Sequence, residues 1–194
     1  FEAAETHAAT DQEICSAAID RAGLVGLPLR DPQGAIAVLL DASERVLDPV
    51  HGLALRSEAG VLATLLGRFE DVLAARATPG QLAAADGSTR WLLGLNEVYA
   101  RTMLGLVDGL DEVVAATRND FTAVCAERPH ELDFLVGLAG TAMLVRGELA
   151  QGRDLLERTW SDHRDSGAYR GIITLVLSVL MDLLSDPRAT EVAA

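Results

Sequence analysis

A short segment of this chain recurs, and its period restricts the folds available. The copies are Gly67-Arg68-Phe69-Glu70-Asp71-Val72, Asp108-Gly109-Leu110-Asp111-Glu112-Val113 and Gly147-Glu148-Leu149-Ala150-Gln151-Gly152. A turn former opens each, a large apolar residue stands third and a smaller residue sixth. Asp31-Pro32-Gln33-Gly34-Ala35-Ile36 is a looser copy, and Asp186-Pro187-Arg188-Ala189-Thr190-Glu191 is read as opening a partial fifth. The starts at 31, 67, 108, 147 and 186 are separated by 36, 41, 39 and 39 residues. Periods of this size mean stacked helical hairpins.

The intervening sequence reads as helix. Ile36, Leu39, Leu40, Ser43, Val46 and Leu47 recur at steps of three and four, as one buried helical face requires. Leu132, Leu135, Val136, Ala139, Met143 and Leu144 do the same. Aromatic residues are 4% of the chain, while Ala, Leu, Arg and Glu are plentiful. Breaks fall at Leu27-Pro28, Asp48-Pro49, Thr78-Pro79-Gly80, Asp86-Gly87, Arg128-Pro129, Ser166-Gly167 and Asp186-Pro187. They leave eight or nine helices of about 10–18 residues. The expected fold is all-α, one helical-repeat domain over residues 1–194.

The corner pattern has a physical reading. A turn former ends the first helix of a pair, and a large side chain two positions later fills the space between the two helices. The smaller sixth residue lets the paired helix come close. Seven residues ahead of two corners lie Gly60 and Gly140, each inside a helix, where glycine costs about 1 kcal/mol relative to alanine. Glycine at such a position marks tight backbone packing. The residue seven ahead of Asp108 is Arg101.

Charge and composition narrow the partners. The chain has 194 residues, 16 basic and 29 acidic, for a net charge of −13. Every basic residue is Arg; there is no Lys. A surface this acidic repels nucleic-acid phosphates, so no direct nucleic acid contact is expected. Arg without Lys, beside abundant Ala and Gly, suggests a GC-rich bacterial genome. The longest apolar run, Ile172 to Val179, is interrupted by Thr174 and Ser178, and the apolar segment that Asp182 closes is too short for a membrane span of about 20 residues. No signal peptide opens the chain. Cys15 and Cys125 stand apart from any CxxC motif and read as small buried hydrophobes. The expected setting is the cytoplasm. A chain that opens on Phe1 reads as a piece of a longer protein.

No catalytic motif survives inspection, and no cofactor is expected. A GxxxxGK[ST] phosphate loop needs lysine, and no GxGxxG follows a strand. His130-Glu131 is followed by Leu132-Asp133-Phe134, so HExxH is absent. His7, His51, His130 and His163 are scattered, and no metal site is expected. Asn119 to Glu127 resembles the metal-binding NDxxSxxxE motif of class I terpene synthases. Its fifth residue, however, is Ala123, which has no oxygen for Mg²⁺, and the companion DDxxD motif is missing. Asp108, Asp111 and Glu112 are explained by the opening of a helix, where acids complement the positive end of the dipole.

The hexamers and the helical glycines resemble the tetratricopeptide repeat. The likeness covers most of the chain from Asp31 onward. It departs from the family in longer repeats, in lacking a consistent proline after each second helix, and in mostly aliphatic aromatic positions. It implies a right-handed superhelical stack of antiparallel helix hairpins. The longer, degenerate repeats are similar to those in large bacterial ATP-dependent transcription regulators, and Arg164 to Gly171 looks like their inter-repeat linker. First helices line the concave side of such arrays, which makes Trp91, Asn96, Tyr99 and Arg101 the candidate contact residues for a partner; Arg56 and Arg146 also lie on or near first helices. Trp160 reads as core. The function implied is a non-catalytic module that binds a protein segment or small-molecule effector and signals to neighbouring domains. The alternative is the ligand-binding all-α domain of a tetracycline-repressor-type regulator, in which helices enclose one apolar pocket.

Overall fold

A computed structural model describes residues 10–26, 28–124, 129–162 and 170–189. Among the described residues there are ten helices and no strand, which makes the chain all-helical. In chain order they are α1 (Asp11–Gly26), α2 (Pro32–Arg45), α3 (Pro49–Leu65), α4 (Phe69–Ala74), α5 (Pro79–Ala84), α6 (Gly87–Met103), α7 (Leu110–Val124), α8 (Pro129–Arg146), α9 (Leu149–Asp162) and α10 (Arg170–Leu183). None is long and apolar enough to cross a membrane, among the described residues.

Helix starts follow local chemistry. Proline opens α2, α3 and α5, where its missing N–H and fixed φ cost nothing. Asp31 accepts from the Gly34 N–H, Asp48 from that of Val50, and Asp86 from that of Thr89, each capping a helix. Caps of this kind are worth about 1 kcal/mol. Thr78 and Gln81 form a reciprocal capping box at α5. That box and Pro79 start α5 at the break expected there, while α4 has already ended at Ala74. Both helices have only 6 residues, shorter than the expected length of about 10–18, and the described residues hold ten helices where eight or nine were expected.

The corners share one hydrogen-bonding scheme. A backbone N–H bonds the carbonyl five residues earlier in Leu29→Leu24, Arg68→Ala63, Leu106→Arg101, Glu148→Met143 and Asp186→Met181. In the last four, the residue just before the donor also bonds three residues back, from Gly67, Gly105, Gly147 and Ser185. Those residues have φ of 71°, 71°, 78° and 55°, the left-handed conformation that ends a helix and favours glycine. Phe69, Leu110 and Leu149 begin the helices that follow, as the hexamers predicted. The middle corner differs from the expected register. Its left-handed residue equivalent to Gly67 and Gly147 is Gly105, not Asp108, and three extra residues precede Leu110. The position matching Gly60 and Gly140 is therefore the buried Val98, not Arg101.

The chain divides into two compact units, Phe1–Ala100 and Arg101–Ala194. In the first, α1, α2 and α3 pack on one another, and α4 and α5 pack on α3. Its core is rich in small residues: Cys15, Ala18 and Ala22 from α1, Ala35, Ile36, Leu39 and Ala42 from α2, and Leu55, Ala59 and Ala63 from α3. The α2 face is thus rotated from the expected one. Leu40 is exposed while Ala35 and Ala42 are buried in its place, and Leu47 is exposed because α2 ends at Arg45, before reaching it.

In the second unit α8 packs on α7, α9 and α10, and α9 packs on α10. Val136, Leu156, Ile173, Val176, Leu177, Leu180 and Met181 form the core, with Trp160 packed against it as expected. On α8, Leu135, Val136 and Ala139 are buried in agreement with the apolar spacing. A Cβ at Gly140 would stand 2.6 Å from Leu156 Cδ1, and one at Gly152 would stand 3.1 Å from Leu180 Cδ1. Both glycines let neighbouring helices close together. Cys125, the Arg164 to Tyr169 part of the linker, and Thr190 to Ala194 lie outside the described residues.

Candidate functional site

Helix α6 carries Trp91, Asn96, Tyr99 and Arg101, and it begins where Asp86 takes up the Thr89 N–H at 2.8 Å and the Thr89 hydroxyl at 3.2 Å. The four side chains go to different tasks. Trp91 is 3% exposed and Asn96 5% exposed, so both are interior groups. Asn96 Nδ2 donates to the Ser57 carbonyl on α3 at 2.9 Å. An amide buried this far costs free energy unless it is bonded, and this bond meets that need.

Tyr99 is half-buried, its ring 5.7 Å from that of Phe69 and tilted by 48°. That geometry is the tilted arrangement aromatic pairs prefer. It ties α6 to the first residue of α4. Glu97 adds a second tie, an ion pair with Arg76 at 3.1 Å. Of the three candidates in the first unit, Tyr99 is the one that is not buried.

Arg101 begins the second unit. Its Nε donates to the Leu106 carbonyl at 3.1 Å and its Nη2 to the Asp108 carbonyl, so the guanidinium wraps the extended middle corner. Arg146, the other cation the sequence placed near a first helix of this unit, is held in a two-pronged pair with Asp111 at 3.0 and 3.1 Å and also bonds Glu148 at 3.1 Å. These arginines brace corners. The carboxylates of Asp111 and Glu148 hold the Arg146 guanidinium above its ordinary range, the Asp111 hydrogen bonds contributing most.

Two groups escaped the sequence reading. Glu58 sits on α3 with its carboxyl pushed above the ordinary range by burial. Asp133 on α8 is fully buried. A single acid inside an amphipathic stretch carries no signature in the sequence; the helix face alone decides its burial. Cys15 is a free, buried thiol, as read from the sequence. Burial, then the nearby carboxylates of Asp11 and Asp48, raises its pKa and keeps it protonated. His51 bonds Asp48 at 3.1 Å beside it, a link between α3 and its own cap. Among the described residues no group of three His, Cys, Asp or Glu side chains could hold a metal ion. Comparison of the chain with protein-family models, curated proteins and solved structures found no match.

Proposed function

We propose that the chain is a helical-repeat interaction module: a tetratricopeptide-like, right-handed stack of helix hairpins that binds a protein segment or a small effector without catalysis. One observation carries this reading. The same N–H to carbonyl bond, five residues back, closes a helix at Leu29, Arg68, Leu106, Glu148 and Asp186. A corner repeated at near-constant intervals is what a chain of equivalent hairpins requires. A bundle built around one ligand pocket needs no such regularity.

Tyr99 is the side chain on α6 best suited to touch a partner, with Trp91 and Asn96 holding the helix beneath it and Arg101 shaping the corner beyond. The place of the module as the sensor or interaction region of a cytoplasmic bacterial transcription or signalling regulator rests on sequence likeness. Small-angle scattering tests the architecture: an elongated, curved particle supports the array, and a compact globule returns the chain to the effector-pocket reading. A photo-reactive residue at position 99 tests the surface. Cross-linking to a bacterial protein from that position, and not from exposed Leu24, supports the assignment.

A further inference from the structure

Helix α10 is apolar on more than one side. Ile173, Val176, Leu177, Leu180 and Met181 are buried in the second unit's core. Away from that core, Leu175, Val179 and Leu183 are 64%, 39% and 55% exposed. Steps of four residues put all three on one stripe, roughly 12 Å long at about 1.5 Å per residue. Thr174, Ser178 and Asp182 make a polar stripe along α10, and the exposed apolar stripe beside it is surface that the core does not use.

The charge at the C-terminal end of the stripe is negative. Exposed Asp182 stands three residues from Val179 and next to Leu183, on the same side of the helix. Arg188, the nearest cation after it in sequence, is already taken up by Glu157 and Asp186. Arg188 and Arg153 are set against Asp154, Glu157 and Asp186, and Asp182 adds a further carboxylate, so acids outnumber arginines at that end of α10.

We propose that this stripe docks an amphipathic helix whose apolar residues, spaced three and four apart, are bordered by Lys or Arg. A stripe running along one helix axis suits ridge-into-groove packing by a second helix. Asp182 and the net charge of −13 favour a cationic border. A second copy of this chain would bring its own −13 to the contact and be opposed by like charge. The proposal rests on α10 alone and does not depend on the array reading.

Fluorescence anisotropy with two labelled synthetic helices tests it, using the full chain. The peptides share a leucine face; one has lysine borders and the other glutamate. The lysine peptide is expected to bind at least about tenfold more tightly, with affinity falling as salt rises. Substituting Leu175→Ser together with Leu183→Ser should weaken it by about tenfold or more, since two leucines lose their burial. Leu65→Ser, at an exposed leucine of the first unit, should leave it unchanged. Asp182→Arg should weaken the lysine peptide and strengthen the glutamate one; this variant decides the matter if the double variant loses its helical circular dichroism. Equal binding of the two peptides, or undiminished binding by the double variant, overturns the proposal. So does self-association in sedimentation that the double variant abolishes, which would assign the face to a second copy.

Discussion

The side-chain amide of Asn96 occupies the space that a Cβ on Gly60 would need: Nδ2 lies 2.6 Å from that position. The same nitrogen donates to the Ser57 carbonyl one turn earlier on α3. Glycine at 60 and asparagine at 96 are therefore one device. The missing side chain admits the amide, and the amide fastens α6 to α3.

A double-mutant cycle follows from this. Gly60→Ala in an unconstrained helix would gain about 1 kcal/mol from helix propensity. Here the new methyl displaces the amide and breaks a buried bond, so a net loss of about 1–2 kcal/mol is expected. In an Asn96→Ala background the collision is gone, and Gly60→Ala should stabilise. Urea denaturation of the four proteins measures the coupling. Additive effects would mean that the two residues act separately.

Gly140 and Gly23 should respond in opposite directions to the same change. A Cβ at Gly140 meets three atoms of Leu156 at 2.6, 2.8 and 2.8 Å, all in the packed core between α8 and α9. Gly140→Ala is expected to cost about 1–3 kcal/mol through overpacking. At Gly23, inside α1, nothing stands within 4 Å of the added carbon. Gly23→Ala should then stabilise by about 1 kcal/mol. Thermal unfolding followed by circular dichroism separates the two; a stabilising Gly140→Ala would contradict the close helix approach described above.

Much of this packing was legible beforehand, and the exceptions have identifiable causes. Gly60 and Gly140 stood out because glycine is expensive inside a helix, and the helix starts at Phe69, Leu110 and Leu149 followed from the hexamers. The middle corner was misplaced because it holds two left-handed glycines, Gly105 and Gly109, and the pattern matched the later one. The α2 face was rotated because alanine carries little hydrophobic signal, although Ala35 and Ala42 are the side chains that close approach selects. Trp91 and Asn96 read as surface groups because a polar or aromatic residue on a helix gives no sign of what lies beneath it. Asn96 is buried only because Gly60, 36 residues away in sequence, makes room for it.

The corner scheme assigns equivalent roles to Gly147 and Ser185. Both occupy the left-handed region, at φ of 78° and 55°, but a Cβ is strained there. Ser185→Gly should relieve that strain and stabilise by about 0.5–1 kcal/mol. Gly147→Ala should introduce it and destabilise by about 1–2 kcal/mol. No atom lies within 4 Å of a Cβ at Gly147, so any cost there is conformational rather than steric crowding by neighbours. Chemical denaturation reads both. Finding Gly147→Ala neutral would remove the conformational basis for treating these corners as equivalent.

Glu58 gives the chain a stability cost that grows with pH. Burial raises its carboxyl above the ordinary value of 4.5, so the folded chain holds that proton more tightly than the unfolded chain does. Below the ordinary value both states are protonated and the residue is neutral in its effect. Between that value and the raised one, the folded state binds more protons, and stability falls as pH increases. Above both, the penalty is complete and constant. Glu58→Gln removes the ionisation while keeping nearly the same shape. It is therefore expected to raise the melting temperature at pH 7 and to leave it almost unchanged at pH 3.5. The comparison is made against the parent chain at each pH. An equal shift at both values would place the effect in packing or hydrogen bonding instead of in the buried charge.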